Sequence, residues 1–369
     1  MHLKLSKKLF IFFIFLISIS TFAFYKSNLF TQFGYLSDEN PLVIHSQNGL
    51  KQKGVSWVAG RDPVTEEDLK PLLKNHVNWI VQTPFGWQRH YNFPALTFNK
   101  NGGWWGERDI GIKTTTEIAE EFGIHTLLKP HIWLRNRRDG KWRSEIRMDN
   151  EEDWQIWFDN YSKFILHYAE LAEKLGIGVF CIGTELRATV REREKNWRRI
   201  IADIRKVYHG KLTYAANWYK EFEEVKFWDE LDFIGIQGYF PLSKKKYPTV
   251  EMLKKGWLSH KKKILKIAQK FNKSIVFTEI GYKSTPDSSI EPWTWLNRRT
   301  RLNGEVDLQS QANCYEAFFQ TFWQEDWFEG VYFWKWFPNH HRAGGPSNRD
   351  FTPQNKPAEQ ILSDWFAKP

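Results

Sequence analysis

From residue 51 onward, short apolar runs alternate with longer stretches in which apolar residues recur every three or four positions. The short runs fall at 54–58, 77–82, 125–131, 178–184, 212–217, 233–238, 274–279 and 331–336. They are rich in β-branched and aromatic residues and show little alternation, as expected of parallel strands covered on both faces. The longer stretches read as amphipathic helices. "TEEDLKPLLKN" opens with Thr65 as N-cap and Glu66–Asp68 in the first turn. "DNEEDWQIWFDNYSKFILHYAELAEKLG" places Trp154, Trp157, Phe158, Tyr161, Phe164, Ile165 and Tyr168 at helical spacing and stops at Gly176. "NWRRIIADIRKVYHG", "KKKILKIAQKFN" and "DLQSQANCYEAFFQTFWQE" repeat the pattern. Only "WYKEFEEVKFWDE", between the fifth and sixth strands, is short enough to be a single irregular helix. Strands alternating with helices predict an α/β fold, a (β/α)8 TIM barrel. A doubly wound open sheet is disfavoured, because "GVSWVAGRDP" after the first strand lacks a Gly-rich phosphate fingerprint.

The N-terminus departs from this alternation. Lys4, Lys7 and Lys8 precede an apolar run at 9–24. This is the pattern of an export signal. The run is roughly 16 residues, or about 24 Å as a helix, so residues 1–24 read as a signal peptide or a signal anchor. Residues 25–50 read as a polar tether and 51–369 as one barrel domain. The expected location is exported: periplasmic, secreted, or attached to the membrane through 9–24. The chain is expected to be monomeric.

Composition adds three constraints. The chain of 369 residues is 41% hydrophobic and 26% charged, which is globular. Its net charge of +10 is dispersed, and no zinc-finger, basic-zipper or RNA-sheet motif is present, so no nucleic-acid partner is expected. Cys181 and Cys314 are too few for a disulfide framework or a zinc site and read as buried thiols. The 20 tryptophans exceed what a core needs and suggest flat platforms for sugar rings.

Barrel chemistry sits at the C-terminal ends of the strands. Two of them, the fourth and seventh, end in "TE" after an apolar run, giving Glu185 and Glu279. Other strand ends supply Gln82, His131 with Trp133, Asn217 with Trp218, Gln237 with Tyr239, Tyr282, and Trp334 with Trp336. In a closed ring, strands three steps apart lie roughly 13 Å apart, and two inward Glu side chains leave roughly 5 Å between carboxyls. That separation marks a retaining glycosidase. Glu185 is assigned as acid/base and Glu279 as nucleophile, with no cofactor and no metal. Tyr239 is placed to hydrogen-bond the nucleophile, Asn217 and His131 to hold sugar hydroxyls, and Trp336 to floor the reacting ring. A Schiff-base aldolase, a phosphate-binding isomerase, a metal hydrolase and a non-catalytic sugar-binding barrel are the rivals. Lys129 and Lys335 lie near strand ends, but Gly281 alone is no phosphate nest, His340 and His341 have no matching cluster elsewhere, and the paired glutamates argue against the last.

In "KGVSW", "LLKPHIW", "DGKWRSEI", "IGTEL", "GIQGYFPL", "FTEIGY", "FWKWFP" and "DFTPQNKPAEQIL", from about Lys53 to the C-terminus, the chain resembles glycoside hydrolase family 113 of the retaining (β/α)8 clan. The resemblance implies a β-mannan substrate, the catalytic pair Glu185 and Glu279, and substrate contacts from Trp57, Tyr239 and Trp336. A β-glucan, xylan or galactan is the alternative substrate. Thr184 stands where the wider clan has Asn before the acid/base, and Asn217 is the candidate replacement. The loop after the second strand, with Trp104 and Trp105, and the loop holding Trp293 and Trp295 are expected to wall the cleft. The basic loop Arg135, Arg137, Arg138, Lys141, Arg143 and Arg147 reads as solvated charge or helix-cap pairs, with an anionic saccharide as the alternative.

Overall fold

The computed structural model describes residues 51–98, 101–297 and 304–369. The signal or anchor at 1–24 and the tether at 25–50 lie outside the described residues. In chain order the strands are β1 (Gln52–Trp57), β2 (Trp79–Gln82), β3 (Phe85–Gln88), β4 (Leu96–Phe98), β5 (His125–Leu128), β6 (His131–Leu134), β7 (Val179–Thr184), β8 (Lys211–Asn217), β9 (Ile234–Gln237), β10 (Ile275–Ile280) and β11 (Phe328–Trp336). The helices are α1 (Glu66–Lys74), α2 (Asp109–Glu121), α3 (Glu151–Lys174), α4 (Arg187–Glu192), α5 (Glu194–Ile204), α6 (Glu221–Glu224), α7 (Val250–Phe271), α8 (Leu308–Phe322) and α9 (Pro357–Phe366). Eight strands close into a parallel barrel in the order β1-β11-β10-β9-β8-β7-β5-β2. This is the (β/α)8 barrel, and every strand run read from the sequence contributes to it.

The apolar runs show no alternation because both strand faces are buried. Val81, Leu127, Val179, Cys181, Ala215, Phe233, Val276 and Tyr332 pack together as the barrel's inner filling. Phe180 and Ile182 point outward to the helical layer, with Trp157, Tyr161 and Trp197. Each such fully buried side chain contributes about 1.5–3 kcal/mol over its exposed state. Helix α3 buries the seven aromatic and aliphatic residues its periodicity picks out. Its Tyr161 hydroxyl donates to the Ile182 carbonyl at 2.7 Å, fixing helix to strand. The helix stops before Gly176, which adopts φ +65°, a conformation in which a side chain costs energy. Both cysteines are buried and free.

Two differences from the sequence reading matter for function. The third run breaks at Pro130, whose missing N–H cannot continue the ladder. β5 therefore ends at Leu128, and His131 begins β6 in a separate sheet of order β4-β3-β6. The connection after β2, expected as loop, supplies β3 and β4 to that sheet. The last strand also starts three residues early, at Phe328, and pairs irregularly with β1. Val55 is opposite Phe333 but Trp57 is opposite Trp336, so β11 carries one extra residue between them.

Candidate active site

Glu185 follows the last residue of β7 with φ +53°, a left-handed conformation uncommon for a residue with a side chain. The turn is held from both sides. The Glu185 N–H donates to the Ala215 carbonyl at 2.9 Å, and the Leu186 N–H donates to the Tyr214 hydroxyl at 2.7 Å. The carboxylate, 8% exposed, accepts from Asn217 Nδ2 at 2.7 Å through Oε1 and from Trp142 Nε1 at 3.2 Å through Oε2. Arg143 Nε lies 3.8 Å from Oε2.

Glu279 sits within β10, 7% exposed. Its Oε2 accepts from Lys129 Nζ at 2.9 Å and Gln237 Nε2 at 3.0 Å, and its Oε1 accepts from the Tyr239 hydroxyl. Burial pushes this carboxyl up, but the Lys129 charge and the hydrogen bonds from Tyr239, Lys129 and Gln237 outweigh it and hold it below the ordinary value. Glu279 is thus an anion kept ionised in a dry site. From β7 to β10 is three steps around the ring, by way of β8 and β9.

His131 is buried, and burial, with Arg143 and Lys129 nearby, holds its imidazole well below the usual value, so the ring is neutral. Arg143 Nη1 lies 2.9 Å from His131 Nδ1. Because guanidinium only donates, Nδ1 accepts and the proton is assigned to Nε2.

Glu185, Glu279, His131, Asn217 and Tyr239 line one cavity of about 1020 Å³ at the C-terminal mouth of the barrel. Trp133, Trp142, Trp218, Trp293, Trp295 and Trp334 wall it. Trp218 and Trp293 stack with ring centroids 4.9 Å apart. Two predicted contacts fall elsewhere. Trp57 is 5% exposed and packs in the core, and Trp336 is fully buried, its ring against His340. The extra residue in β11 is the reason for the second: it shifts the alternation, so Trp334 lines the cavity and Trp336 turns into the helical shell. Trp104 and Trp105 are not among the cavity's lining residues either. Trp104 is 46% exposed beneath the Arg61 guanidinium.

Lys129, Gln237, Trp142, Arg143 and Glu221 also belong to the site, in roles the sequence does not assign them. Lys129 carried a signal: like Glu185, it is a charge placed directly after an apolar run. Glu221 lay in the segment read as one irregular helix. It is fully buried, and burial pushes its carboxyl up to about 8. Its Oε2 accepts from the Asn217 N–H at 2.7 Å, and its Oε1 accepts from the Tyr214 hydroxyl at 2.5 Å. Tyr214 and Asn217 are the two residues that grip Leu186 N–H and the Glu185 carboxylate. One carboxyl thus positions Glu185 by two routes. Glu221→Ala removes both acceptors and leaves the Asn217 N–H and the Tyr214 hydroxyl without this partner. We expect kcat to fall about tenfold with KM moving less than about twofold. A KM change without a kcat change would show that Glu221 supports glycan binding instead.

A buried pair of acidic side chains at a barrel mouth walled with tryptophan is an arrangement suited to a glycoside hydrolase of the TIM-barrel type. The profile of Glycoside Hydrolase Family 113 matches residues 53–356, and the chain belongs to that family. A comparison with curated proteins finds no match. Among solved structures, the GH113 β-mannanase AaManA from Alicyclobacillus acidocaldarius, in complex with ManMIm, is 28% identical, with TM-score 0.72, covering 86% of this chain and 97% of its own. A second GH113 β-1,4-mannanase is 26% identical, with TM-score 0.72, covering 87% of this chain and 100% of its own. A β-glucuronidase from Ruminococcus gnavus, 13% identical with TM-score 0.57, covers 89% of this chain and 52% of its own and shares the fold.

Proposed function

We propose that this glycoside hydrolase cleaves β-1,4-mannan-type chains by double displacement with net retention. The observation that carries the reading is the contrast between the two carboxyl groups in one cavity. Glu279 is held as an anion by Lys129, Gln237 and Tyr239, whereas Glu185 meets two neutral donors, Asn217 and Trp142, with Arg143 at longer range. In the first step the Glu279 carboxylate attacks the anomeric carbon while Glu185 gives its proton to the departing glycosidic oxygen. This leaves a glycosyl ester on Glu279. In the second step Glu185 takes a proton from water, the water oxygen attacks the anomeric carbon, and the ester bond breaks to free Glu279. The neutral His131, with its proton on Nε2, and Asn217 supply hydroxyl contacts. Trp334 takes the platform role first given to Trp336.

The family relationship and the β-1,4-mannanase names of the solved relatives support the choice of substrate. The test is proton NMR of the first-formed product on a panel of β-mannan, β-glucan, xylan and galactan. Mannan is expected to be cleaved fastest, with the β anomer appearing first. First appearance of the α anomer would rule out the two-step route, and faster turnover of another glycan would reassign the substrate.

A further inference from the structure

The small sheet β4-β3-β6 does more than close the cleft's side. Strand register places Phe85 opposite His131 and Trp87 opposite Trp133, and these four side chains share one face. The other face is occupied by helix α3. A Cβ on Gly86 would meet the Phe164 ring at 3.0 Å, and Gln88 Oε1 accepts from Trp157 Nε1 at 2.9 Å. The aromatic face therefore looks toward the cleft. His131 and Trp133 line the catalytic cavity. Trp133 also lines a second, adjoining hollow of about 370 Å³ with Trp87 and Arg135. At about 3.3 Å per residue, Arg135 stands roughly 13 Å along the strand from His131. This is a ramp leading out of the catalytic cavity, which Arg137 also lines.

The charges on the ramp are unusual within their own loop. Lys141 pairs with Glu145, Arg147 with Glu192, and Arg143 with Glu185. Arg135 and Arg137 have no carboxylate at ion-pair distance among the described residues. Each lies on a ring instead. Arg135 is 5.4 Å from the Trp87 centroid, and Arg137 is 4.6 Å from that of Trp133 and 5.1 Å from that of Trp142. A guanidinium held over an indole keeps N–H groups free, and these fit a carboxylate with two parallel hydrogen bonds. Lys141 and Arg143 also lie over rings but have carboxylate partners, which leaves the exposed Arg135 and Arg137 as the ring-bound charges open to a carboxylate from outside.

We infer that the ramp of Trp87, Trp133, Arg135 and Arg137 binds a carboxylate-bearing sugar unit, so that the substrate class of this site includes acidic β-linked glycans. This rests on the proposed glycan-cleaving role of the cavity but not on mannan as its backbone. The sugar lies along the ramp beside the indoles, and its carboxylate takes the guanidinium N–H groups.

The probes are uronic-acid-containing β-linked oligosaccharides and the same material after reduction of its carboxyl groups to alcohols. Binding to the full-length protein is measured by calorimetry at low and high salt. The wild type should bind the acidic material about tenfold more tightly than the reduced material at low salt. The preference should shrink at high salt, and in the double variant Arg135→Gln/Arg137→Gln it should fall to within about twofold. Circular dichroism of the variant reports on folding, and the single variants serve if the double one does not fold. Equal affinity for the two materials, no binding of either, or an unchanged preference in the variant would each overturn the inference. Failure to cleave neutral mannan with the carboxylate preference intact would overturn the mannan reading alone. Cleavage of mannan without the preference would overturn this one alone.

Discussion

Glu279→Gln should reduce hydrolysis of the preferred glycan by about 10⁵-fold while oligosaccharide binding survives. The substitution is well tolerated sterically, because the amide NH2 can turn to the Tyr239 oxygen while the amide oxygen keeps Lys129 and Gln237. Lys129 is not orphaned, since it also donates to the Thr278 carbonyl at 3.0 Å and to Gln237 Oε1 at 3.3 Å. What is lost is the anion that attacks carbon. A small external anion separates the roles of the two glutamates. With Glu279→Gly, azide should enter from the nucleophile's face and give a glycosyl azide of inverted configuration. With Glu185→Gly, it should intercept the glycosyl-enzyme and give the retained azide. Mass spectrometry and NMR of the products decide it. The opposite pairing would exchange the two assignments, and full activity in Glu279→Gln would remove Glu279 from the chemistry.

Lys129→Met should also be damaging, for an electrostatic reason. Lys129 is fully buried, and its loss leaves the Glu279 carboxylate with only Gln237 and Tyr239. Removing one partner of a buried ion pair costs about 3–5 kcal/mol, which chemical denaturation at neutral pH would read directly. The pH dependence has a definite sign. In the wild type the Glu279 carboxyl is depressed below its ordinary value. Its contribution to stability is therefore complete above that ordinary value and is lost as pH falls through the depressed one. Without Lys129, burial dominates and the carboxyl rises. The acidic limb of kcat/KM should then move to higher pH, and kcat near neutrality should fall at least about 100-fold. An acidic limb left in place would mean that Tyr239 and Gln237 suffice to hold the charge.

The barrel was readable because parallel strands buried on both faces cannot hide. Runs such as "VFCIGT" and "IVFTEI" have no competing periodicity, and a carboxylate placed at such a run's end has few structural uses. Glu185 and Glu279 stood out on that ground, and the coordinates put them in one cavity with His131, Asn217 and Tyr239. Features that depend on pairing between distant segments did not show. The small sheet needs β3 and β6 to meet across more than forty residues, and nothing local in "FGWQ" announces it. Glu221 looked like any acidic residue in a polar helix, because its burial comes from Tyr214 and Asn217 on the neighbouring strand. Trp334 and Trp336 are two apart, so alternation alone treats them as equals, and only their registration against β1 separates them.

That registration has a consequence for how the enzyme can vary. The seam where the first and last strands join is also the place that decides which indole lines the cavity. Deleting one residue near position 334 would not simply shorten an edge. It would remove the extra residue between the Val55–Phe333 and Trp57–Trp336 pairs and flatten the bulge at which Trp334 and Trp336 part. Chain length in this strand is therefore a constraint alongside side-chain identity.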